Sequence, residues 1–208
     1  GWDPRGTGAS TPVQCFSDRQ ADAFNNLDGS PDDEAERAAL IEGVFDFGKS
    51  CWERSGSLLE HISTIETVRD LDLMRELVGD AKLSYLGYSY GTQIGATYAE
   101  LFGEFTGRLV LDAAVNITDT DEVIQAMGFD LALGNFASWC AKEACALGSS
   151  KDEVLDLITG LLDKLDSAPL KVGERKLTQT LAATGIAALL YGGKSTWPTL
   201  AASVLAAT

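Results

Sequence analysis

The run from Ser63 to Val115 constrains this chain most. In it a helical pattern, a short apolar strand, a glycine-flanked turn, a second helix and a second apolar strand follow one another without interruption. In "STIETVRDLDLMRELVGD", Ser63 or Thr64 can cap a helix, Ile65, Val68, Leu71, Met74, Leu77 and Val78 recur at helical spacing, and Gly79 supplies a stop. Lys82 to Leu86 reads as a short buried strand. "YGTQIGATYAELFG" reads as a helix with Gly91 and Gly95 on one face, and "RLVLDAAV" as a second buried strand. Helix, strand, sharp turn, helix, strand is an α/β pattern with a parallel sheet.

The flanks differ in character. Residues 1–14, "GWDPRGTGASTPVQ", are rich in Gly, Pro and small hydroxyl residues and read as a structured turn. Residues 25–34 read as an exposed turn into a helix over 32–53, with Pro31, Asp32, Asp33 and Glu34 suited to its N-terminus. After Asn116 the chain looks all helical. Ser150 and Glu153 suggest a capping box, Leu155 to Leu165 an apolar stripe, Leu181 to Tyr191 an Ala/Leu-rich helix, and Ser195 or Thr196 with Pro198 one more helix start. The expected organisation is a partial α/β core over 1–116 and a helical insertion over 117–208, cut before its end. The opening "GWDPRG" points to processing or truncation.

Charge and cysteines bound the function class. The chain carries 16 Lys and Arg against 31 Asp and Glu, net −15, which disfavours nucleic-acid and anionic-membrane partners. No apolar run reaches the roughly 18 residues of a membrane span. Cys15, Cys51, Cys140 and Cys145 form no C-x-x-C, and with one histidine a zinc site is disfavoured. Four cysteines allow three pairings. Cys15–Cys51, closing a polar loop region, and Cys140–Cys145, pinning a helix end, are favoured over four buried thiols in a cytosolic enzyme. Two disulfides imply an oxidising compartment, hence a secreted or cell-envelope protein of a bacterial export type.

Gly87-Tyr88-Ser89-Tyr90-Gly91 is a G-x-S-x-G. Alone the pattern is weak, and its context carries the weight. A strand precedes Ser89 and a helix follows, as a nucleophile turn at a sheet edge requires. The helix N-terminus adds partial positive charge beside the attacking oxygen. The N–H of Tyr90 is the expected oxyanion donor.

Together "GWDPRGTGASTP", "DLDLMRELVGDAKLSYLGYSYGTQIGATYAELFG" and "RLVLDAAV" resemble the secreted tripeptidyl aminopeptidase / proline iminopeptidase-like branch of the α/β-hydrolases. Asp3, Arg5, Gly6, Gly8 and Ser10 resemble that branch's loop after an early strand, and Gly87 to Thr92 its nucleophile turn. "WCAKEACALG" and "TWPTLA" resemble its cap domain. The resemblance implies a mostly parallel sheet with flanking helices and an all-helical cap, and serine peptidase activity without metal or organic cofactor. It also implies an oxyanion loop upstream of residue 1 and a catalytic acid and histidine beyond the cap, so the 208 residues alone are expected to be inactive.

The remaining candidates have subordinate roles. His61, the sole histidine, precedes Ser89, the wrong order for this fold's Ser–acid–His sequence, and reads as a helix-entry residue. Asp112, at the end of the strand after the nucleophile helix, is a low-weight candidate acid. Asp3 and Arg5 are expected to pair within their own loop. Phe136, Trp139, Tyr191 and Trp197 are expected mostly in the core of the helical insertion, with one or two lining a pocket. Acidic residues there are candidates for binding a substrate's free amino terminus. The leading reading is a hydrolase that cleaves peptides from the N-terminus through an acyl-enzyme on Ser89, its partners being the peptide and the remaining segments of the same protein. The alternatives are an esterase or lipase-like hydrolase and a non-catalytic binding protein on the same scaffold.

Overall fold

The computed structural model describes residues 1–118, 122–143 and 145–208. Residues 119–121 and 144, part of the expected helical insertion, lie outside them. The chain divides into two compact units, Gly1–Cys15 with Phe47–Thr120, and Phe16–Asp46 with Asp121–Thr208. Residues 16–46, read from sequence with the α/β segment, thus group with the helical one.

The first unit is built on a strand–helix–strand. Helix α3 (Thr64–Leu77) starts at Ser63, whose hydroxyl accepts the Glu66 N–H at 3.2 Å. Strand β1 (Leu83–Tyr88) pairs in parallel with β2 (Thr106–Asp112), Tyr88 opposite Asp112, and α4 (Tyr90–Leu101) makes the crossover. The core between α3, α4 and β1 is Val68, Leu71, Leu83, Ile94 and Tyr98, with Trp2, Met74, Tyr85 and Phe102 against it. Helix and strands approach closely because glycine stands where a side chain has no room: a Cβ on Gly95 would lie 2.7 Å from Leu111 Cδ2. One polar network is buried here. The Tyr98 hydroxyl donates to Asp72 at 2.8 Å, and Asp72 also accepts from Arg75 Nε at 2.8 Å. The Arg75 guanidinium lies over the Phe105 ring, 4.5 Å from its centroid. The carboxyl of Asp72 is held below the usual range, first by the Arg75 hydrogen bond. Burial, with the Asp72 hydrogen bond second, pushes the Tyr98 phenol up to about 12.

The second unit packs helices on helices. They are α1 (Asp18–Asn25), the first part of α2 (Glu34–Ser55), α5 (Glu122–Lys142), α6 (Lys151–Ser167), α7 (Gln179–Tyr191) and α8 (Trp197–Ala207). Its core holds Phe136, Cys140, Val154, Ile158, Leu165, Trp197, Leu200 and Val204. The expected Ser150–Glu153 capping box forms by half. Ser150 Oγ accepts the Glu153 N–H, but the Glu153 carboxylate reaches back to the N–H and hydroxyl of Ser149. Gly29 N–H donates to Thr180 Oγ1 at 2.8 Å, and Thr180 donates to the Leu27 carbonyl at 2.9 Å, so residues far apart in the chain are joined.

One expectation fails. Residues 121–208 are not all helical, because β3 (Leu170–Val172) and β4 (Arg175–Leu177) form an antiparallel hairpin. Its two-residue turn places Gly173 at φ +62°, a backbone that glycine adopts without strain. Strands of three residues are too short for alternation to register.

Cys15 pairs with Cys51 and Cys140 with Cys145, the favoured pairing of the three. Among the described residues no helix is long and apolar enough to cross a membrane.

Candidate active site

The site is the junction between β1 and α4. Strand β1 ends at Tyr88 and α4 begins at Tyr90, leaving Ser89 alone to reverse the chain. It does so at φ +49°, ψ −121°, a conformation that costs a non-glycine residue on the order of 1–3 kcal/mol. The turn is tight enough that a Cβ on Gly87 would lie 2.4 Å from the Gly91 carbonyl oxygen, so residue 87 must be glycine.

Several hydrogen bonds hold this strained residue. Its N–H donates to the Asp112 carbonyl on β2 at 3.1 Å, and its own carbonyl accepts the Thr92 N–H at 2.8 Å. The Thr92 hydroxyl donates to that same carbonyl at 2.6 Å and accepts the Val115 N–H at 2.9 Å. Beneath the turn, the Tyr85 hydroxyl donates to the Gly91 carbonyl at 2.8 Å. Burial, with Tyr90 second, raises the Tyr85 pKa and keeps that phenol a donor.

The Ser89 side chain is exposed and makes no capping bond to α4. It stands at the N-terminus of a 12-residue helix, where aligned peptide dipoles and N–H groups without intrahelical acceptors favour negative charge. Tyr90, the first residue of α4, carries one of those N–H groups, and its phenol lies 2.9 Å from Thr64 Oγ1 at the start of α3. An exposed hydroxyl beside such a helix end can attack a carbonyl carbon, provided a base takes its proton.

The other sequence candidates fall as follows. Asp112 ends β2 directly opposite Tyr88, and its main-chain carbonyl is what meets Ser89, while its carboxylate is exposed. His61 closes a 3-10 turn (Gly56–His61) and is exposed. Its carbonyl accepts Arg5 Nη1 at 3.1 Å, and among the described residues no hydrogen bond joins its imidazole to Ser89.

Asp3 and Arg5 do not pair with each other. Asp3 accepts the Ala9 N–H of its own loop at 2.8 Å. Arg5 instead grips Asp70 on α3 through Nε at 2.7 Å and Nη2 at 2.6 Å, with Glu66 3.6 Å away. The guanidinium fork matches a carboxylate edge, and α3 presents one within reach. This loop is therefore closed on itself by Asp3 and its own main chain, and tied to α3 by Arg5.

In the helical unit, Phe136, Trp139 and Trp197 pack on one another, with ring centroids 5.5–6.0 Å apart. Tyr191 is exposed and lines a shallow cavity with Gln125, Gly128 and Phe129. Asp32, Asp33 and Glu36 bring three carboxylates together, but they serve the start of α2. Glu36 accepts the N–H groups of Asp32 and Asp33, and Asp33 accepts those of Ala35 and Glu36. Sequence reasoning missed Thr92 and Tyr85 as supports of the turn. The available signal was a hydroxyl on the helix face that carries Gly95.

Comparison with known proteins agrees with this geometry. The model of the alpha/beta hydrolase fold family matches residues 2–192. Tripeptidyl aminopeptidase of Streptomyces lividans is 36% identical over 163 residues, 75% of this chain and 30% of that protein. Serine protease Hip1 of Mycobacterium tuberculosis is 38% identical over 172 residues, 79% of this chain and 33% of that protein. Carboxylesterase B of Mycobacterium tuberculosis is 35% identical over 213 residues, 99% of this chain and 41% of that protein. The chain thus spans 30–41% of the length of these curated relatives. A serine held at positive φ between a parallel strand and a helix, together with a family match over nearly the whole chain, places the chain in the α/β-hydrolase fold family.

Proposed function

We propose that the protein is an exported serine hydrolase that removes residues from the N-terminus of peptides through an acyl-enzyme on Ser89. The observation that carries the reading is the conformation of Ser89, which spends stability to expose a hydroxyl at a helix N-terminus. Ser89 attacks the scissile carbonyl. A histidine from the remainder of the protein, held by an acid there, takes up its proton and returns it to the leaving amine. The Tyr90 N–H and a second donor outside these residues hold the oxyanion, and water then releases the acyl group. In this reading the segment with the parallel strand pair, residues 1–116, is part of the hydrolase core and the mostly helical segment from residue 117 onward is its cap. Both disulfides favour an oxidising compartment. The peptide specificity rests on the two peptidase-named relatives.

The carboxylesterase among the relatives favours a second reading, the same nucleophile acting on esters. The test uses the full-length protein. A fluorophosphonate probe is expected to label Ser89, read by peptide mapping, and peptidyl amides are expected to give a higher kcat/KM than short-chain esters. A large kcat/KM preference for esters moves the assignment to the esterase. No labelling of well-folded full-length protein moves it to a non-catalytic binding protein.

A further inference from the structure

We infer that Thr92 is a positioning residue for Ser89: its hydroxyl locks the nucleophile turn to the segment that leaves β2. The inference rests on the reading of Ser89 as the nucleophile. Thr92 is 1% exposed, on the first turn of α4. Its hydroxyl has one proton and two lone pairs, and the turn uses both functions. The proton goes to the Ser89 carbonyl at 2.6 Å, and a lone pair takes the Val115 N–H at 2.9 Å.

What this hydroxyl joins is unusual. Ser89 and Ala113 are two of the three non-glycine residues at positive φ among the described residues, at +49° and +56°. Each stands immediately after one strand of the same parallel pair. The Ser89 N–H already binds the Asp112 carbonyl, and Thr92 adds a second tie between the two strand exits. Strained backbone persists only where its surroundings over-determine it, and the Thr92 hydroxyl bonds to Ser89 itself and to Val115, two residues beyond Ala113. Removing the hydroxyl deprives the Val115 N–H of its acceptor and the Ser89 carbonyl of one of two donors. The turn can then relax, and a displacement of about 1 Å at a reacting group can cost on the order of 100-fold in rate. Because Thr92 is buried, its effect runs through Ser89 and not through substrate.

The test compares Thr92→Val, which keeps the shape and loses the hydroxyl, with Thr92→Ser, which keeps the hydroxyl, both in the full-length protein. For Thr92→Val, kcat and the rate of fluorophosphonate labelling at Ser89 are expected to fall at least about tenfold, with KM within about twofold. Thr92→Ser is expected to stay within about threefold of wild type in all three. A folded Thr92→Val protein with unchanged labelling and kcat overturns the inference, as does a loss shared equally by Thr92→Ser or a change in KM alone. Should Thr92→Val not fold, Thr92→Ala against Thr92→Ser decides by the same ratios. A wild-type protein that is not labelled at Ser89 defeats the nucleophile reading and this inference with it. Wild-type labelling that the loss of the hydroxyl does not slow defeats this inference alone.

Discussion

Ser89 and Ser150 both stand immediately before a helix, and the contrast between them separates a serine whose hydroxyl is left free of its helix from one that caps it. Ser150 is extended, at φ −134° and ψ 162°, and its hydroxyl folds over the start of α6 to accept the Glu153 N–H at 3.2 Å. Ser63 before α3 and Thr178 before α7 do the same. Ser89 occupies the equivalent place before α4, yet its backbone is left-handed and its side chain makes no capping bond. A cap contributes about 1 kcal/mol, so α4 forgoes that and bears the strain as well. Thr92 and Asp112 hold in place what a relaxed chain would not. The lesson is that residue type and position do not make a hydroxyl available for chemistry; the backbone conformation does.

The sharpest way to break this contrast is by activity. In the full-length protein, Ser89→Ala is expected to lower kcat at least about 10⁴-fold, while Ser150→Ala leaves it unchanged. Steady-state assays on a peptidyl amide would break the contrast if the two variants behaved alike.

Next in size is an effect of pH on the helices that follow each serine. Helix α6 buries Val154, Ile158, Leu161 and Leu165, none of which titrates. Helix α4 buries Tyr98, whose phenol donates to Asp72 and whose pKa is pushed up to about 12. The folded state therefore favours the neutral phenol. Its stabilisation is complete below the unfolded tyrosine value of about 10 and is lost as pH rises from about 10 to about 12, on the order of 2 kcal/mol. The gap between the denaturant midpoints of wild type and Tyr98→Phe is expected to be constant below about pH 10 and to shift against wild type as pH rises to about 12. Parallel curves would exclude that role for Tyr98.

The smallest effect has opposite signs at the two serines. Ser150→Ala is expected to cost about 1 kcal/mol of stability. Ser89→Gly is expected to gain about 1 kcal/mol, because glycine takes positive φ without strain. Chemical denaturation checks both, and a destabilised Ser89→Gly would show that the serine side chain supports the turn after all.

The centre of the fold was legible because its signals are local. The Val68–Leu71 stripe, the apolar strand before Gly87 and the flanking glycines each report on neighbours a few residues away. Even the strand came out short: it was read to Leu86 and runs to Tyr88. What escaped is long-range. Nothing near Arg5 announces Asp70, 65 residues on. Nothing in residues 16–46 announces that they bind Thr180 and Arg175, 151–153 residues on. The hairpin at 170–177 is too short to show a period, and Thr92 resembles any threonine until Val115 arrives from the far strand. In the candidate site, the strand–turn–helix setting of Ser89 was legible from context, whereas the bonds that hold it required the fold.

The Cys15–Cys51 bridge has a topological consequence. The chain leaves the first unit after Cys15 and rejoins it at Phe47, so the bridge closes residues 15–51 into a covalent ring around that excursion. With its ends 36 positions apart in the chain, the ring removes roughly 4 kcal/mol of disorder from the unfolded chain in the chain-entropy account. It also makes the excursion tolerant of damage. A protease that cuts once within residues 16–46 opens the ring without parting the molecule, and the two pieces travel together until a reductant frees them.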